Sequence, residues 1–322
     1  MPEELEFRTK PQIALELIER AMANGIRVAA WTFDEFYGRN GEFLEELQAR
    51  EQAFVAEVPV DFYGWVKEPR VLRSGRRKPG QGGRRAHYPR VARGRPPGQV
   101  RYLCRYSPVF RRQPWQPYRI KDTHRGPLVW EVKWSSFWWS RRHGLPGRRH
   151  CLIVARNVLT GEMKYFVSNR VPGEAGVTLS WLLWVGFGRW PVESCFREGK
   201  EELGLDHYEV RGWRCVHRHF FVTQLSHLFC ARMRQEYDHP TDAQTERLTV
   251  EQIRSAMNTW LSAADLKAEA RKTRYEAELQ RQRYHQRRNR QARKSHTKTR
   301  IARLTALGID LERIPSCIPQ RP

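Results

Sequence analysis

The chain has 322 residues, 40% of them hydrophobic, and carries 58 Lys and Arg against 35 Asp and Glu for a formal net charge of +23. That length and apolar content suit a largely globular protein with one sizeable core or two modest ones. The six cysteines form no Cys-x-x-Cys pair and no run of eighteen apolar residues occurs, which argues against a zinc knuckle, a disulfide scaffold and a membrane span.

The first segment is acidic: residues 1–66 hold thirteen acids and six bases. Apolar positions Ile13, Leu15, Leu17, Ile18 and Met22 recur at helical spacing between Pro11 and Asn24-Gly25, and predict a helix to about Ala23. Ile26 to Trp31 reads as a buried strand running into Asp34. A second helix over about 41–50 and a second strand over 53–58 follow, and the alternation predicts an α/β layer with parallel strands. Residues 67–99 contain five prolines and six glycines, and 67–100 hold eleven Lys and Arg against one Glu, the mark of a flexible basic loop. Three strands are expected next, at 100–106, 115–121 and 128–139. The last carries Trp130, Trp134, Trp138 and Trp139, which read either as core of a β-surface or as platforms for base stacking.

Residues 150–156 and 164–167 predict a hairpin around the turn 158–161. Two helical pieces are expected at 178–186 and 191–202. Pro191 belongs in a first turn and disfavours helix at Trp190, so Arg189 precedes the second piece and Glu193 sits in its first turn. An apolar helix over 222–233 is expected to pack on the sheet. From Ala263 the chain becomes a charged helix and then a basic arm, with fourteen Lys and Arg against three acids in 267–303. Basic blocks of this kind bind polyanions by releasing counterions, so nucleic acid is the expected partner, ahead of a membrane surface. A soluble, cytoplasmic bacterial protein associated with the nucleoid is expected.

Two acids stand out chemically. Asp34 follows a predicted strand, where α/β sheets place ligands and metals, although an aspartate there also serves as a turn or helix cap. Glu193 stands between Arg189 and Lys200, at separations that return to nearly one side of a helix. A carboxylate flanked by cations suits phosphate chemistry, because the acid can hold a divalent metal while the cations clamp phosphoryl oxygens. The same charges also fit a solvated amphipathic surface. A glycosidase using Asp34 and Glu193 would instead surround them with an acidic, aromatic cleft, so that reading is disfavoured.

Taken in order, these residues resemble a known family. Val28-Ala29-Ala30-Trp31-Thr32-Phe33-Asp34-Glu35-Phe36-Tyr37-Gly38 is similar to the strand-Asp-x-x-Tyr-Gly segment bearing the second acid of bacterial insertion-sequence transposases of the DDE type. About 150 residues later, Arg189-x-x-x-Glu193 with Lys200 resembles their YREK signature, followed by Leu203-Gly204-Leu205-Asp206-His207-Tyr208. The tyrosine position of that signature holds Gly186 here. The resemblance implies an α/β, ribonuclease-H-like core split between 1–58 and 146–240. The β-rich insertion would span 59–145 with a basic loop at 67–100, and a basic helical or disordered tail 241–322.

It also implies metal-dependent DNA strand cleavage and transfer with two Mg²⁺ or Mn²⁺ ions. Asp34 and Glu193 would be catalytic metal ligands, Arg189 and Lys200 phosphate contacts, and Trp130 or Trp134 a stacking residue at the transposon end. The family's first catalytic Asp lies on an opening core strand, and only ten residues, none of them Asp, precede Pro11. The expectation is therefore a partial core lacking its first strands, impaired alone, with a homodimer or a complementing upstream polypeptide as possible partners. The competing expectation is a non-catalytic nucleic-acid-binding protein.

Overall fold

The computed structural model describes residues 6–72, 88–92, 96–141, 144–174, 176–237 and 248–318. Most of the basic loop expected within 67–100, and the first residues of the expected tail, lie outside them. The chain divides into two compact units, one comprising Glu6–Arg189 with Thr299–Pro322 and the other containing Trp190–Lys298.

The first unit is a mixed α/β structure. Helix α1 (Lys10–Ala23) opens with a capping box in which Thr9 and Gln12 satisfy each other's backbone groups. Strand β1 (Trp31–Phe33) runs into the short helix α2 (Glu35–Gly38), then α3 (Gly41–Ala49) and β2 (Phe54–Glu57). β1 and β2 pair in parallel, as the alternation predicted. The first strand was expected at 26–31, but it begins only at Trp31. Ile26 and Val28 are exposed, and the only ladder described for this stretch pairs residues 31–33 with β2.

Next come β3 (Tyr63–Trp65), β4 (Val71–Leu72), β5 (Arg90–Val91) and β6 (Gly98–Gln99), then helices α4 (Val100–Tyr106) and α5 (Pro108–Arg111). The strand expected at 100–106 is therefore a helix. Its β-branched and aromatic composition suggested a strand, but Val100, Leu103 and Cys104 share one face at helical spacing and pack into the core. Gly98 permits this packing, because a Cβ there would lie 2.9 Å from Leu103 Cδ2.

The long strands β7 (Gln116–Thr123), β8 (Gly126–Trp139), β9 (His150–Asn157) and β10 (Met163–Ser168) follow, with the β9–β10 hairpin as predicted. The eight-stranded sheet runs β1-β2-β10-β9-β8-β3-β6, and β7 pairs with β8. The strands of the expected insertion thus continue the same sheet as those of the expected core. Central strand β9 is covered on both faces: Leu152 and Val154 join one core with Phe43, Leu44 and Phe54, while Cys151 and Ile153 join the other with Leu182 and Leu183. Helix α6 (Leu179–Phe187), capped by Thr178, covers the second face. The C-terminal segment returns to this unit. Arg119 N donates to Pro315 O and Arg119 O accepts from Cys317 N, both at 2.9 Å, and Leu304 and Ile309 bury against Val129.

The second unit is helical: α7 (Trp190–Leu203), α8 (Trp213–Tyr237), α9 (Val250–Ser262) and most of α10 (Ala268–Ala306). The apolar helix expected over 222–233 is part of α8 in this unit, and its Cys230 forms a small core with Val250 and Ile253. No described helix is long and apolar enough to cross a membrane.

Candidate functional site

Asp34 stands at the carboxyl end of β1, half-buried, and serves as a helix cap. Its Oδ1 accepts hydrogen bonds from the Phe36 and Tyr37 amides at 3.1 and 3.3 Å, which caps α2 and fixes the carboxylate against the sheet end. The turn depends on Gly38: its amide donates to Asp34 O at 2.8 Å, and a Cβ there would stand 1.9 Å from Glu57 O on β2. The Asp-x-x-x-Gly spacing therefore reflects a close approach of α2 to the neighbouring strand, with one carboxylate oxygen used by the cap.

Arg189 is half-buried and follows the C-terminal end of α6 as the last residue of its segment in the sheet unit. As expected it precedes α7, although the helix already includes Trp190, where Pro191 was expected to disfavour it. Glu193 lies exposed in the first turn of α7 and Lys200 exposed in its last turn. Each charge complements the helix dipole at its own end. Seven residues at about 100° each bring Glu193 and Lys200 back to one face of α7. Against α8, α7 is tied by Cys195 Sγ at 3.8 Å from His227 Nδ1, and by Glu198 at 3.9 Å from His227 Nε2. Gly186 is buried on α6, where a Cβ would meet Val55 Cγ1 at 3.1 Å and Phe166 Cδ1 at 3.2 Å. That position faces the sheet, so a tyrosine there would have no room.

The tryptophans of β8 separate by burial. Trp130 is 3% exposed and packs in the core facing α6, beside Phe187 at 4.9 Å, so a base cannot reach its ring. Trp139 is likewise enclosed and stacks on His150 at 3.7 Å. The core reading thus holds for these two. Trp134 is half-buried and lines an open cleft of about 480 Å³ with Gln113, Pro114, Lys133 and Ser136. The Gln113 carboxamide holds the Trp134 backbone from both sides, donating to its O at 3.0 Å and accepting from its N at 3.3 Å. Beside them Lys133, buried, donates to Phe110 O at 2.8 Å and sits 4.7 Å over the Trp115 ring. Reasoning from the sequence missed Gln113, whose only signal was its place before Pro114 at the start of a predicted strand.

Among the described residues, no three His, Cys, Asp or Glu side chains gather into a group that could hold a metal ion.

A family model described as DDE superfamily endonuclease matches residues 1–127 of the chain. The match includes Asp34 and ends before Trp130, Trp134, Arg189, Glu193 and Lys200. It supports the resemblance to DDE-type transposases. No curated protein matches the chain.

Proposed function

We propose that this protein is related to transposases that cleave and transfer DNA strands, with a ribonuclease-H-like core in which Asp34 and Glu193 are the acids of a Mg²⁺- or Mn²⁺-dependent site. The observation that supports the reading is the match of residues 1–127 to DDE superfamily endonucleases, a span that includes Asp34, which follows a strand paired in parallel. In this reading Arg189 and Lys200 hold DNA phosphates. Of Trp130 and Trp134, Trp134 in its open cleft is the candidate for contact with an unpaired base.

Two acids are few for a hard cation that takes most of its ligands from oxygen. A further acid, from a second copy or a complementing polypeptide, is therefore part of the proposal. One alternative, favoured by the net charge of +23, is a non-catalytic nucleic-acid-binding protein.

Nicking of supercoiled DNA by the purified chain with Mg²⁺ or Mn²⁺ tests the reading, with Asp34→Ala and Glu193→Ala as controls. Weak metal-dependent nicking that disappears in both variants supports it. Nicking that survives Asp34→Ala removes Asp34 from the site, and DNA binding without any nicking under either metal favours the alternative.

A further inference from the structure

The outer face of α4 carries an arrangement that the proposed site does not use. Its inner face is accounted for by Val100, Leu103 and Cys104 in the core. Its outer face presents Arg101, Tyr102, Arg105 and Tyr106, with Tyr102 49% and Tyr106 59% exposed. The two rings stack with centroids 6.2 Å apart and planes 30° apart. The Arg101 guanidinium lies 4.7 Å over Tyr102, and that of Arg105 lies 5.3 Å over Tyr106. One turn of helix repeats the pair, so cation and ring alternate along the face.

The simplest account is a solvated helix whose arginines lie on neighbouring rings, a weak contact at an exposed site. The charges around it argue for more. Elsewhere in this unit Arg50, Arg119, Arg141 and Arg156 each meet a carboxylate. Arg101 instead hydrogen-bonds the Gln99 carboxamide at 2.8 Å, and residues 99–112 contain no Asp or Glu. Arg111 and Arg112 extend the same charge beyond α4, both exposed. The face therefore offers, among the described residues, cations with no carboxylate partner for phosphates and flat rings for bases. A duplex can use only the cations, because its base faces are stacked inside.

We propose that the exposed Arg101-Tyr102-Arg105-Tyr106 face of α4 binds single-stranded DNA, with bases stacking on the tyrosines and the arginines holding the backbone. The choice of DNA over RNA rests on the proposed strand-processing function. The ligand surface itself stands on the side chains just described.

Fluorescence anisotropy of a labelled oligothymidylate with the full chain, in EDTA, tests this without any cleavage. Tyr102→Ala/Tyr106→Ala should weaken binding by about tenfold or more with its salt slope unchanged, and Tyr102→Phe/Tyr106→Phe should restore it to within about threefold. Arg101→Gln/Arg105→Gln should make the salt slope shallower by about 1.4, at roughly 0.7 per phosphate contact. A duplex of the same length should respond to the tyrosine changes by less than about threefold. Unchanged oligothymidylate binding in the alanine variant would overturn the proposal. So would an equal loss on duplex, or tighter binding of oligouridylate than of oligothymidylate by the parent chain. Because the assay contains no metal, it can fail while Asp34-dependent nicking persists, and it can succeed while nicking is absent.

Discussion

His150 is fully enclosed between Phe54 and Trp139, its Nδ1 donating to Arg148 O at 2.7 Å and its Nε2 lying 3.0 Å from the Gln48 carboxamide. Burial pushes its pKa down to about 4, helped by the nearby Arg141 and Arg148 and opposed by the bond to the Arg148 carbonyl. The folded value lies below the ordinary one, so on acidification the unfolded chain takes up this proton first. The stabilisation from a neutral His150 is complete above a pH of about 6.5 and is lost as pH falls toward 4, by on the order of 3 kcal/mol. Urea unfolding across that window should show the slope in the parent and a flatter one in His150→Gln; identical slopes would assign the effect to other groups. Gly38→Ala should cost about 3 kcal/mol, read from the denaturation midpoint, because the new Cβ would collide with the backbone of β2 rather than with a movable side chain. At this scale the sequence displayed Asp34 as an acid at a strand end. It could not display that Gly186 faces Val55 and Phe166, since a departure from a motif looks the same whether it removes a contact or fits a core.

Helix α1 and helix α4 show what makes an element readable. For α1, Thr9, Pro11, Gln12 and Gly25 mark both ends chemically, and the predicted bounds hold within a residue or so. Thr9→Ala should lower stability by about 1 kcal/mol through loss of the capping box, measurable by thermal or urea unfolding. At α4 no side chain caps the amino end, since Gln99 makes no such bond. With Val, Tyr and Cys in the segment, composition pointed to a strand while the spacing of Val100, Leu103 and Cys104 pointed to a helix. The spacing prevailed because burial acts on faces and not on composition. The β9–β10 hairpin was readable for the opposite reason, since composition, alternation and the Asn157–Gly161 turn all agree.

For the molecule as a whole, the division at Arg189 and Trp190 was invisible in the sequence, because α6 and α7 are separated by only two residues and neither is marked as a linker. The basic character of the C-terminal region was plain, and its form is the 39-residue helix α10. If α10 is a main electrostatic contact with duplex DNA, replacing exposed Arg283 and Arg287 with Gln should make the salt slope of duplex binding shallower by about 1.8, at roughly 0.9 per phosphate lost. An unchanged slope would move that contact elsewhere. The return of residues 299–318 to the sheet unit has a consequence for synthesis on the ribosome. Strand β7 and the region around Val129 receive their covering from the segment holding Leu304, Ile309 and Cys317, which is translated only after the entire helical unit. At about 5–20 residues per second, the sheet unit would wait roughly 5–20 s with that surface bare before its own fold could close.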